Sequence, residues 1–163
     1  MSAKEKGIQQ AVLDLIIYKE SSRWKSMTIS EYIVKLLKNY DGIEIDTNHM
    51  AEGSDQYGLF KSPSRDIKDF NDGTYQITEY YQFLARQYGV SKSARKEADE
   101  WLEDLTYWID DFPYNYSFPP LDKKREVTGL SITGSPYPME ANDKETMYQI
   151  MLSITYIRER EEL

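Results

Sequence analysis

The chain has 163 residues, 40% of them apolar, which suits one domain with a buried core. Its formal net charge is −8, with 28 acidic against 20 basic side chains, which argues against nucleic-acid binding as the main activity. There is no cysteine, so disulfides, zinc–thiolate sites and a cysteine nucleophile are excluded, and no segment approaches the roughly 20 apolar residues of a membrane-spanning helix.

Near the start, Lys4 and Lys6 precede an apolar patch over residues 11–17. Asp14 interrupts that patch and no small-residue cleavage site follows, so it reads as a helix and not as a signal peptide. Ile8, Ala11, Val12, Leu15, Ile16 and Tyr18 recur mainly at spacings of three and four, predicting an amphipathic helix over residues 8–20 that ends near Ser21-Ser22. Thr28 and Glu31 form a capping-box pattern ahead of a second helix. Its candidates for burial are Ile29, Ile33, Val34, Leu36, Leu37 and Tyr40, and Asp41-Gly42 is its stop. Ile43 and Ile45 alternate with Glu44 and Asp46 as a short strand, followed by a polar stretch over residues 47–56. Tyr57 to Ser62 reads as another short strand, ended by Pro63.

Asp72-Gly73 is a strong hairpin signal, since a type I′ turn needs positive φ at both central residues. The strand after it is long. Tyr75, Ile77, Tyr81, Phe83 and Ala85 share one face, and Thr74, Gln76, Thr78, Gln82 and Arg86 the other. Glu79 interrupts the apolar face, and Tyr80 and Leu84 interrupt the polar one. Large side chains on both faces suit a strand touched by its own core and by a partner chain. A long central strand of one monomer accounts for the same pattern.

Residues 93–112 carry the clearest helical stripe: Ala94, Ala98, Trp101, Leu102, Leu105, Trp108, Ile109 and Phe112. Ser93 is a candidate cap, Pro113 a stop, and the tryptophans read as core against the sheet, not as a ligand cage. A loop with Pro119-Pro120 leads to a strand over Val127 to Thr133 and a turn-rich connection with Pro136 and Pro138. The last strand, Glu145 to Arg158, puts Tyr148, Ile150, Leu152, Ile154 and Tyr156 on one face, and Arg158 to Glu162 reads as a frayed charged tail. This order predicts a single α+β domain: a mostly antiparallel sheet with helices on one face.

Catalytic patterns are weak. His49 is the sole histidine, and the nearby Glu44, Asp46, Glu52 and Asp55 do not fall at calcium-loop spacing. A serine triad needs a histidine base and a nucleophile elbow, neither of which stands out. The pairs Glu103-Asp104 and Asp110-Asp111 read as a solvated helix face. No catalytic, cofactor-binding or metal-binding residue is assigned. The 14 tyrosines hint at association, because tyrosine is enriched at interface cores.

The order and spacing of several pieces resemble the tail-terminator (tail-completion) proteins of long-tailed bacteriophages, in the form found in Gram-positive phages and phage-tail-like particles. The pieces are the strand Tyr57 to Ser62, the hairpin Asp72-Gly73-Thr74 and the strand ending Phe83-Leu84-Ala85-Arg86. The helix with Trp108-Ile109, the loop Phe118-Pro119-Pro120-Leu121 and the strand from Tyr148-Gln149-Ile150 to Tyr156 complete the match. Relatives are often labelled minor capsid proteins. The resemblance divides the domain into an N-terminal helical extension (1–27), a tail-terminator-like core (28–158) and a charged tail (159–163). It implies a structural protein of the virion or tail-like particle, assembled in the bacterial cytoplasm, that forms a homo-oligomeric, typically hexameric ring. Such a ring caps the tail tube, ends its polymerisation and meets the neck or connector, with the sheath as a further neighbour. It implies no cofactor, no enzymatic activity, no membrane and no nucleic acid as main ligand. Tyr80, Arg86, Asp72, Gly73 and Tyr137 are the candidate interface residues. Another neck or head–tail adaptor protein of the same particle, or a small-molecule binder or enzyme, are the alternatives.

Overall fold

The computed structural model describes residues 2–9, 27–53, 55–88 and 91–161. Residues 3–9 are helical, and the rest of the helix expected over 8–20, with its Ser21-Ser22 end, lies outside the described residues. The elements that follow are α1 (Ile29–Lys38), β1 (Ile45–Thr47), β2 (Gln56–Asp69), β3 (Thr74–Tyr88), α2 (Lys92–Asn115), β4 (Arg125–Ala141) and β5 (Glu145–Glu159). The strands form one sheet in the order β1-β2-β3-β5-β4. β1 runs parallel to β2, and every other pairing is antiparallel. The fold is therefore α+β with a mostly antiparallel sheet, as the periodicities predict.

α1 starts where the capping pattern places it. The Thr28 hydroxyl accepts from the Glu31 amide at 3.1 Å, relieving one of the unpaired N–H groups of the first turn. The helix buries Ile29, Tyr32, Ile33, Leu36 and Leu37. Tyr32 escapes the apolar pattern because its hydroxyl finds an acceptor inside the core, the carbonyl of Pro119 at 2.7 Å. Asp41 and Gly42 then both take positive φ and turn the chain into β1.

α2 begins at Ser91, not Ser93: the Ser91 hydroxyl accepts from the Ala94 amide at 3.1 Å. Pro113 does not end it. Proline lacks the N–H that would return to the Ile109 carbonyl, but it falls in the last turn, and the helix closes with the Tyr116 amide on Phe112. Leu102, Leu105, Trp108, Ile109 and Phe112 are buried. Trp101 is only half-buried: its indole N–H donates to the Asp41 carboxylate at 2.9 Å while its ring packs on Tyr40 and Tyr57. The core lies between these helices and one sheet face, where Tyr75, Ile77, Tyr81, Phe83 and Ala85 of β3 meet Tyr148, Ile150, Leu152, Ile154 and Tyr156 of β5.

Two strands run well beyond their expected ends, for one physical reason. A proline is tolerated in a strand at an edge or a bulge, where its missing N–H breaks no ladder bond. β2 passes through Pro63 because its register against β3 slips between Lys61 and Arg65. β4 passes through Pro136 and Pro138 at the sheet edge, with register slips on both sides of Tyr137. β5 reaches Glu159, and the Arg160 amide donates to the Gly73 carbonyl, so this end of the expected frayed tail is anchored; residues 162–163 lie outside the described residues.

The β2–β3 turn also differs from the expected type. Gly73 has φ +86, but Asp72 does not share the positive φ that a type I′ turn requires. Asp69 pairs with Tyr75 and the Phe70 amide donates to the Thr74 carbonyl, leaving a three-residue tip that ends in a left-handed glycine. The Asp72 carboxylate accepts from the Thr74 amide and hydroxyl at 3.0 and 2.6 Å. Those bonds, from the hydroxyl first and the amide second, hold its pKa below the usual carboxylate range.

Candidate assembly surface

Alternation along β3 and β5 sends the residues between the core positions to the opposite face of the sheet. Among the described residues no helix packs on that face. Its register builds rows across β2, β3, β5 and β4. Phe60, Gln82, Met151 and Gly134 make one row; Gly58, Leu84, Gln149 and Tyr137 make the next. Tyr80, Ser153 and Ser131 make a third, and Thr78, Thr155 and Gly129 a fourth. Asp66 of β2, opposite Thr78, is the one charged side chain within these rows, and it accepts from the Tyr80 hydroxyl; further charge comes at the margins, with Arg86 and Glu140 flanking Met147 at one end and Lys68 and Glu126 at the other. Met151 lies across Gly134, whose missing side chain gives it room: a Cβ there would meet the Met151 Cβ at 3.1 Å. Close packing within the face leaves Gln149 and Ser153 buried, while Met151 and Tyr137 stay exposed.

The sheet's edges are differently built. The Asn48 side chain accepts from the Lys61 amide at 3.1 Å on the outer side of β2, next to Pro63, and the Ser62 hydroxyl accepts from the Ser64 amide at 3.5 Å. On the outer side of β4, the Asp110 carboxylate accepts from the Ile132 amide at 3.1 Å. Pro136 and Pro138 bring no N–H to that strand at all. β1, the other outermost strand, has three residues.

The five interface candidates fall in two places. Tyr80 is on the open face, half-buried, and its hydroxyl donates to Asp66 of β2. That bond pushes the Tyr80 pKa up. Tyr137 is on the same face, 47% exposed, opposite Gln149. Asp72 and Gly73 form the exposed hairpin tip. Arg86 shares the face but is occupied by its own chain. Its guanidinium donates to the carbonyls of Ala51 at 2.6 Å and Gly53 at 3.4 Å and faces Glu145 at 3.7 Å. A substitution at Arg86 therefore disturbs the loop over residues 51–53 as well as any contact. The sequence reading missed Gln82, Met151 and Ser153. They alternate with the core series of their own strands, and the signal was the absence of charge at successive alternate positions.

The one buried carboxylate among the described residues is Glu79, on the core face. Lys61 Nζ lies 2.6 Å from Oε1, and the Tyr156 hydroxyl donates to Oε2 at 2.6 Å. Burial, and then Glu79 itself, pushes the Tyr156 pKa well above the usual tyrosine value; burial pushes Tyr81 beside it up to about 12. These hydroxyls serve as donors and Glu79 is an acceptor already filled. Three of the four paired helix carboxylates have structural partners: Asp110 on the Ile132 amide, Glu103 under the Tyr107 hydroxyl at 2.5 Å, and Asp104 near Lys4 at 3.8 Å. His49 faces Asp46 at 3.5 Å, and both are exposed. Among the described residues no cluster of three or more His, Asp or Glu could hold a metal ion, and no helix is long and apolar enough to cross a membrane.

Fold and surface together define an α+β protein built on one sheet, helix-covered on one face and, among the described residues, open on the other. No protein-family model matches the chain, and no curated protein matches it.

Proposed function

We propose that this protein is a structural subunit of a phage tail or phage-tail-like particle, one that closes into a ring, caps the tail tube and joins it to the neck. The resemblance in element order suggests the class. The observation that carries the reading is the open, charge-free centre of a sheet face bounded by long strands. Solvated sheet faces are ordinarily lined with charged and polar side chains, whereas the core of an interface is depleted in charge and enriched in Tyr and Met. A ring needs a subunit with a contact surface that is not satisfied within one chain, and closure needs that contact to repeat around an axis.

The test is deletion of the gene from the particle's genome, followed by electron microscopy of the tails. Tails of uncontrolled length, or tails that never join heads, are expected. Normal-length, head-joined tails in the deletion strain overturn the proposal.

A further inference from the structure

We infer that the open face is covered by a second copy of this chain, and that neighbours meet face-on and not by strand addition at a sheet edge. The inference rests on the ring reading above and names one side of its contact, since a closing ring seats this face on a different patch of the next copy.

Strand addition needs a row of free N–H and C=O groups along an outer strand. Both long outer strands lack a continuous row. Asn48, Ser62 and Asp110 occupy edge amides of β2 and β4, and Pro63, Pro136 and Pro138 supply none. These are the devices by which sheet proteins avoid edge-to-edge pairing. The face between the edges has no such protection. Tyr80, Gln82, Leu84, Gln149, Met151 and Ser153 form its centre without one charge among them.

Area and charge select the occupant. Four strands spaced ~4.8 Å apart and eight residues rising ~3.3 Å each give a strip of about 20 by 25 Å, or on the order of 500 Å² in projection. Once side-chain relief is added, that approaches the ~800 Å² of accessible surface each partner gives to a specific interface. A partner of opposite charge would be met by the acidic surface, through complementary potentials. A second copy carries the same net charge of −8, and like charges placed opposite one another oppose association. The open face, uncharged at its centre and carrying one carboxylate, Asp66, already paired with Tyr80, is the surface through which a like-charged neighbour is met with the least of that penalty.

Self-association is measured by sedimentation velocity and native mass spectrometry across a concentration series, with and without purified tail tube. The parent chain is compared with Met151→Glu, a Gln82→Glu/Met151→Glu double variant and Asp110→Asn. The face variants are expected to weaken self-association at least ten-fold while melting like the parent. Asp110→Asn, an edge variant, is expected to leave it unchanged. Four results overturn the inference: face variants that associate like the parent; loss of association in Asp110→Asn alone; a parent that stays monomeric up to millimolar concentration and on the tube; or face variants that unfold as monomers, which would mean the face is filled within one chain. A parent that associates through this face but ignores tail tubes sinks the tail-cap reading alone. Face variants that still form rings on tubes sink the face assignment alone.

Discussion

Single residues hold the two ends of the sheet in ways that can be measured separately. Asp122 lies just before β4. Burial alone would raise its pKa, but the Arg125 side chain and the Lys124 and Arg125 amides, at 2.7 to 3.0 Å, more than offset this, and the carboxyl is held below its usual range. Arg125 in turn donates to the Met27 carbonyl at 2.6 Å, so the cluster ties the start of α1 to β4. A folded-state pKa below the unfolded one contributes stability that is present above the unfolded value and lost as pH falls through the folded one. Melting temperature should therefore fall as pH drops from about 5 through and below the usual Asp value near 4. Asp122→Asn should flatten part of that slope; an unchanged slope would show that the cluster contributes nothing to acid stability. Tyr156 gives a second test on the core side. Tyr156→Phe keeps the ring and removes the donor from a buried oxygen of Glu79, leaving Lys61 at 2.6 Å and the Tyr81 hydroxyl at 3.5 Å on the other. The expected cost is about 1–3 kcal/mol by denaturant unfolding. A neutral result would mean that Lys61 and Tyr81 satisfy the carboxylate without Tyr156.

At the scale of elements, α2 is the helix on which the core depends. Trp108 is 6% exposed and packs on Tyr40 and Phe112. Trp108→Ala should cost about 3–5 kcal/mol, the range for large aromatic truncations. A variant that melts like the parent would remove Trp108 from the core. The same element shows what was legible in the sequence. Helical spacing found the stripe from Ala98 to Phe112, and two-residue alternation found the core faces of β3 and β5, because burial on one side imposes a period. The element ends were less legible. Ser91 and Ser93 are both plausible caps, and only the hydrogen bond to Ala94 separates them. Pro63 and Pro113 read as stops, and Pro136 and Pro138 as part of a turn-rich connection, yet each sits where a missing N–H is tolerated: a bulge, a last turn or an outer strand. That tolerance depends on the neighbouring strand or turn, which local sequence does not carry. Of the surface candidates, Tyr80 could be placed by alternation, whereas Tyr137, read as part of a turn-rich connection, reaches the same open face only through the register slips of β4. Arg86 could be placed on that face too, but its engagement with Ala51 and Gly53 arises from a loop more than 30 residues away and leaves no local signal.

For the whole molecule, a contact face uncharged at its centre on a strongly acidic chain has a consequence for salt. With a net charge of −8, two copies repel at a distance while the surfaces that touch contribute little Coulomb energy of their own. Added salt shortens the Debye length from roughly 30 Å at 0.01 M to roughly 10 Å at 0.1 M and 3 Å at 1 M, weakening that repulsion. An interface held by exposed ion pairs would respond in the opposite sense, since screening weakens the attraction. Self-association followed by sedimentation should therefore strengthen as sodium chloride rises from 0.05 to 0.5 M, on the order of several-fold. The binding heat capacity should be negative, the mark of apolar area leaving water as residues such as Leu84 and Met151 are covered. Association that weakens steadily with salt would mean that the contacts run through the charged margins, Arg86 and Glu140 at one end and Lys68 and Glu126 at the other, and would move the assembly surface off the centre of the sheet.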